Sequence, residues 1–157
     1  MVMSICYLAG LSILSFFVGR MLPYQWFSFD RFPFRSMKFE NDGKIYLKIK
    51  INKWQNKVPD MSKIFPSLLP AKNMVHYAPE ALPGMIAETC IAEFIHCGNS
   101  LLSLFAFCFC RSWACILIVA VYIILGNFPY ILIQRYNRPR FVKLLERMQS
   151  RQERVQV

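Results

Sequence analysis

Between Trp113 and Ile133 the chain reads WACILIVAVYIILGNFPYILI, a run without a single charged side chain. A helix needs about 17–25 mainly apolar residues to cross a bilayer, so this stretch is long enough to span by itself. Two further candidates lie upstream. From Leu82 to Cys110 the sequence is LPGMIAETCIAEFIHCGNSLLSLFAFCFC. Its distal half is apolar, whereas its proximal half holds Glu88, Glu93, His96 and Asn99. The part after His96 is too short to span, so the helix is expected to start near Pro83 and carry its polar residues inward. A segment that only half enters the bilayer is the alternative. The third candidate, Val2 to Val18, is uncharged and short, with Arg20 just behind it. A secretory signal has that shape too. No basic residue precedes the run and no A-x-A-like site follows it, so it reads as a retained anchor.

These runs explain a chain of 157 residues that is 55% hydrophobic, with mean hydropathy +0.32. The expected fold is a mainly α integral membrane protein forming one domain. Its spans cover about 2–19, 84–110 and 112–134, with a loop over 20–82 and a basic tail over 135–157. The formal net charge is +10. Eleven basic residues lie between Arg20 and Lys72 and seven between Arg135 and Arg154, but only Arg111 lies between the second and third runs. The positive-inside rule then puts the loop and tail in the cytoplasm and the N-terminus outside a cell membrane crossed three times. The charge is accounted for by topology and lipid contact. The loop shows no zinc pattern, helix-turn-helix or stacking platform, so nucleic acid is not an expected partner. Three spans alone leave homo-oligomerisation open.

Inside the loop, Phe34 to Glu40, then Asn41-Asp42-Gly43, then Lys44 to Ile51 has the form of a β-hairpin. Ile45, Leu47, Ile49 and Ile51 alternate with Lys44, Tyr46, Lys48 and Lys50, and Asp-Gly supplies a turn. Such a hairpin would lie on the membrane surface or pack on its own loop. Met61 to Ala78 reads as irregular. The tail from Arg140 reads as a short amphipathic helix. The six cysteines all fall in or beside apolar runs, and Cys108 and Cys110 are too close for a zinc pair. They read as packing residues.

Two polar clusters could carry chemistry. Glu93, His96 and Asn99 are spaced by three on the second span and so lie near one helix face. Ionisable groups in a membrane segment usually face a cavity or a partner. A carboxylate one turn from an imidazole can fix its tautomer and make it a general base. A structural polar knot is the plain alternative, and a metal held by Glu88 and Glu93 is a weaker third, so no metal is expected. The second cluster ends the third span: Asn127, Pro129 and Tyr130, then Gln134, Arg135, Tyr136, Asn137, Arg138 and Arg140. Arginines at a boundary can grip phosphates or simply anchor the span. Asn127 and Pro129 interrupt an apolar helix, and freed backbone there can line a cavity. With the two helices antiparallel, the clusters converge in one half of the membrane.

Several blocks carry a resemblance. They are Phe39 to Tyr46, Ile49 to Asp60, Glu88-Thr89-Cys90, Ala92-Glu93, His96, Asn127-Phe128-Pro129 and Gln134 to Arg138. Together, and in this order, they resemble the glycosyl-diaponeurosporenoate acyltransferase family. The resemblance implies transfer of a fatty acyl group to a sugar hydroxyl of a membrane lipid such as a carotenoid glycoside. With that reaction an acyl-CoA-type donor as co-substrate, a glycolipid acceptor and no bound cofactor are expected. On that reading His96 is the base, Glu93 orients it, and Asn99 or Asn127 donates to the oxyanion. Arg135, Arg138 and Arg140 clamp the donor, with Glu88, Gln134, Tyr136 and Asn137 lining the substrate site. A non-catalytic scaffold or lipid-binding subunit is the alternative.

Overall fold

The computed structural model describes residues 1–59 and 79–156. The stretch expected to be irregular, 61–78, lies outside them. Among the described residues five α-helices carry the fold: α1 Val2–Met21, α2 Ile51–Trp54, α3 Leu82–Leu102, α4 Trp113–Ile124 and α5 Phe128–Gln156. Three of the resulting helical segments are long and apolar enough to cross a membrane: Val2–Met21, Leu82–Cys108 and Trp113–Arg154. The protein is a membrane protein.

Pro83 stands in the first turn of α3, where its missing N–H costs no helical hydrogen bond. The helix tightens into a 3-10 stretch over Ser103–Cys108. Ser112 opens α4 by accepting from the Cys115 amide at 3.4 Å. The third span is broken between α4 and α5. Gly126 is needed there, because a Cβ would lie 2.6 Å from the Tyr122 carbonyl oxygen. Asn127 follows, and α5 then runs without interruption through the segment expected to be a separate tail.

Helix α1 buries Ser4, Leu8 and Ser15 and leaves most of its other apolar side chains exposed. With Gly19, whose Cβ would meet Ile95 at 3.3 Å, these residues form a stripe of mostly small side chains. Such stripes let helices approach closely where lipid supplies no hydrophobic drive. Two apolar cores result. At one end Leu8, Ala106, Cys115 and Val119 cluster. At the end that carries the loop, Leu82, Met85 and Ile86 of α3 pack against Phe141 of α5. A polar layer separates them.

The expected β-hairpin is not formed, and no strand occurs among the described residues. The Phe34–Ile51 segment instead makes 3-10 turns over Lys38–Glu40 and Lys44–Ile49. Asn41, Asp42 and Gly43 all take positive φ, and Lys44 donates back to Asn41 at 3.1 Å. Alternation is not used to divide faces either: Leu47 and Ile49 are exposed while Ile51 is fully buried. The physical reason is tertiary. Glu40 is drawn to an arginine of α5, and Gly43 packs where a Cβ would be 3.1 Å from the Tyr136 carbonyl. Those contacts outweigh strand preference, which always depends on what the pleat packs against.

Candidate functional site

The polar layer holds two connected arrangements. The first is an ionic knot. Glu93, nearly buried on α3, accepts from Arg135 Nη1 and from Arg138 Nη2, each at 2.5 Å. Glu40 accepts from Arg135 Nε at 2.6 Å and Nη2 at 2.9 Å, a two-pronged pair. It also accepts from the Met37 amide at 2.6 Å and from the Tyr46 hydroxyl. Arg135 spends its remaining capacity on the Pro33 and Arg35 carbonyls. Arg138 donates to the Thr89 hydroxyl and carbonyl and to the Phe34 carbonyl. The knot is neutral, two guanidiniums against two carboxylates, and it fastens the loop to α3 and α5.

Glu40 shows the electrostatics. Burial works to raise its carboxyl, but hydrogen bonds from Arg135, Met37 and Tyr46 outweigh that and hold it below the ordinary carboxylate range. Tyr46 is pushed up to about 12 by burial and by the Glu40 carboxylate.

The second arrangement is one turn deeper. His96 Nδ1 lies 3.0 Å from Asn127 Oδ1. Asn127 is buried, and its Nδ2 donates to the Tyr122 carbonyl at 3.0 Å. A carbonyl can only accept, so the amide nitrogen must face Tyr122 and the amide oxygen must face the imidazole. Nδ1 therefore carries a proton, and in the neutral imidazole the lone pair lies on Nε2. The ring is held flat by Tyr130, stacked at 4.6 Å and 10°. The Tyr130 hydroxyl in turn donates to the Pro59 carbonyl at 2.8 Å. The arrangement fixes the tautomer of the neutral imidazole, the form a general base needs.

The structure thus redistributes the sequence-derived residues. It joins His96 to Asn127 and turns both oxygens of Glu93 to arginines. Asn99 donates to Ser15 Oγ at 2.9 Å and ties α3 to α1. Glu88 accepts from the Tyr24 hydroxyl at 3.0 Å in the first half of α3. Arg140 is exposed, its guanidinium over the Tyr136 ring at 4.9 Å. Gln134 and Asn137 are half-buried on α5, and the Asn137 Oδ1 is buried without a hydrogen-bond partner. Glu40 and Thr89 belong to neither expected cluster, and Tyr130, a member of the second, carries no role in the expected site. The loop also holds Asp30, Asp42, Asp60 and Glu80, so its charge pattern alone did not single out Glu40. Among the described residues no group of three or more His, Cys, Asp or Glu is placed to hold a metal ion.

A cleft of about 430 Å³ opens beside α5. Phe29 and Phe34 of the loop form one wall, and Pro139, Val142 and Lys143 the other. Arg135 and Glu40 lie in its lining, which brings it to the edge of the knot.

Residues 24–147 match the family model described as glycosyl-4,4'-diaponeurosporenoate acyltransferase. The chain is 30% identical over 139 residues to the glycosyl-4,4'-diaponeurosporenoate acyltransferase of Staphylococcus aureus strain MRSA252, covering 87% of this chain and 82% of the relative. The proteins of that name from strains N315 and USA300 match with the same identity and coverage. No solved structure matches.

Proposed function

Since the chain belongs to the glycosyl-4,4'-diaponeurosporenoate acyltransferase family and is therefore an acyltransferase, we propose that it moves a fatty acyl group from a cytoplasmic acyl thioester to a sugar hydroxyl of a glycosylated membrane lipid. The names of its relatives favour a carotenoid glycoside as acceptor. The observation that carries the reading is the His96–Asn127–Tyr122 chain of hydrogen bonds.

His96 Nε2 accepts the proton of the sugar hydroxyl as its oxygen attacks the thioester carbonyl. Asn127 stabilises the imidazolium through Nδ1, and the proton then passes to the departing thiolate sulfur. Oxygen–carbon bond formation and carbon–sulfur bond cleavage balance with one proton moved from oxygen to sulfur. The acceptor reaches His96 from the bilayer, and its lipid chain stays among the spans. The donor arrives from the loop end, which the positive-inside rule assigns to the cytoplasm. Glu93, Arg135 and Arg138 hold the site together and do not bind phosphate, because their polar atoms already serve one another. Asn99 positions α1.

The test is acyl transfer in membranes carrying wild type or His96→Ala at equal abundance, given a labelled acyl thioester and a glycolipid extract. A general base contributes about 10²–10⁴-fold, so the variant is expected to lose at least about 100-fold. Equal product from both proteins would remove His96 from the mechanism.

A further inference from the structure

Arg140, Lys143, Arg147, Arg151 and Arg154 follow one another along α5 at steps of three or four. That spacing puts all five on one helix face, and all five are exposed. The stripe is about 21 Å long at 1.5 Å per residue. Its place in the molecule is fixed. Helix α5 runs antiparallel along α3, with Tyr130 against His96, Arg138 against Thr89 and Phe141 beside Met85 and Ile86. Met148 is the last apolar contact, packed at the level of Leu82 where α3 begins. Arg151 and Arg154 therefore stand beyond the start of α3, and the stripe lies on an exposed side of α5.

The stripe is continuous with the cleft, because Lys143 belongs to both. The cleft itself carries little net charge: Arg135 is met by Glu40, Arg138 by Glu93 and Lys143 by Asp42 at 2.8 Å. A balanced cleft does not select a free nucleotide donor by its phosphates. A neutral, amide-bearing arm with an apolar end suits it, and the cations that could recognise an anionic body lie outside, strung over about 21 Å. An acidic protein helix, whose carboxylates can repeat at the same three- and four-residue steps, matches that row.

Resting on the acyltransfer reading above, we propose that the donor is an acidic carrier protein bearing the acyl group as a thioester on a flexible pantetheine-type arm. The carrier docks on the Arg147–Arg151–Arg154 stretch and lowers its arm along the cleft. From Lys143 to Tyr130, the stacking partner of His96, is about 20 Å along the helix axis, a distance such an arm covers. The charge row steers encounter and sets its salt dependence.

The experiment uses the full chain in nanodiscs, wild type and the Arg147→Glu/Arg151→Glu/Arg154→Glu variant. Each is supplied with palmitoyl-loaded bacterial acyl carrier protein or with palmitoyl-CoA, plus a glycolipid acceptor. Carrier binding is read separately by biolayer interferometry. The expected result is at least a tenfold fall in kcat/KM with the carrier, through KM, a matching loss of binding, and no change with palmitoyl-CoA. The milder Arg→Gln triple variant is expected to fall between. Transfer from palmitoyl-CoA with no binding of the carrier by wild type overturns the docking and leaves the acyltransfer reading standing. So does an equal loss with both donors, or a loss that tracks the anionic lipid content of the disc, which would make the stripe a membrane contact. No transfer from either donor by wild type strikes the acyltransfer reading itself, and the docking with it.

Discussion

At His96 two neighbours compete for the role of orienting group. Helical spacing favours Glu93, three residues away, but spacing shows only that two side chains share a face. The partner on the facing helix decides. Arg135 and Arg138 reach Glu93 from 42 and 45 positions along the chain, and a carboxylate between two guanidiniums has nothing left for an imidazole. Asn127 takes the post because the break before α5 lets its amide reach the ring. The two residues should therefore fail differently. Asn127→Ala frees the imidazole to flip or rotate, so kcat is expected to fall about 10–100-fold, by analogy with the loss of other groups that orient a catalytic proton carrier, while abundance and thermal stability in detergent change little. Glu93→Ala leaves two buried cations without their shared counter-charge. Breaking a buried pair in this way costs about 3–5 kcal/mol, so the variant is expected to lose abundance and melting temperature. Kinetics and melting on the two purified variants separate the cases. A Glu93→Ala protein of wild-type stability and no activity would return Glu93 to the catalytic machinery.

The elements divide into those whose pattern is local and those whose pattern is not. The spans were legible because a bilayer imposes one requirement, apolar length, which Trp113–Ile133 and Val2–Val18 display without reference to any partner. The loop was not legible. Asp42-Gly43 and the alternation from Lys44 to Ile51 fit a hairpin template, yet the determinant is Arg135, 95 positions from Glu40. The break at Asn127 was visible as a polar residue and a proline in an apolar run. The identity of its partner was not, since it depends on how α3 and α5 meet. The loop's dependence on one carboxylate has a pH consequence. Glu40 is held below its ordinary value in the fold. Its contribution is therefore complete above the ordinary glutamate range and is lost as pH falls through the lowered value. Hydrogen exchange over residues 33–46 is expected to stay protected at pH 5 and to open only below about 4, the region of unperturbed glutamate. In Glu40→Gln the opening should already be present at pH 7 and should not respond to acid. Loop protection that fades between pH 7 and 5 would mean that another group holds it.

For the whole molecule, the decisive asymmetry is between its two ends. Large apolar side chains such as Ile13, Phe17, Leu101, Leu117 and Val121 lie exposed along the spans, where lipid covers them. At one end of this belt the turn between α3 and α4 carries Arg111 alone. At the other stand the ionic knot, the cleft and the five-cation row of α5. An acyl thioester is a cytoplasmic reagent, so the proposed chemistry requires the second end to face inward, which the distribution of charge also favours. The requirement is separable from catalysis and can be tested on its own. Arg111→Cys removes the one cation in the turn between α3 and α4, so it does not weaken the charge asymmetry between the two ends. Ser150→Cys sits on an exposed turn of α5. With the labelling of the native cysteines subtracted, a membrane-impermeant maleimide is expected to modify Arg111→Cys in intact cells and Ser150→Cys only after permeabilisation. The reverse pattern would place His96 and the cleft on the side that has no thioester. Both the donor path and the carrier docking would then have to be abandoned, although the hydrogen-bonded His96–Asn127 pair would be unaffected.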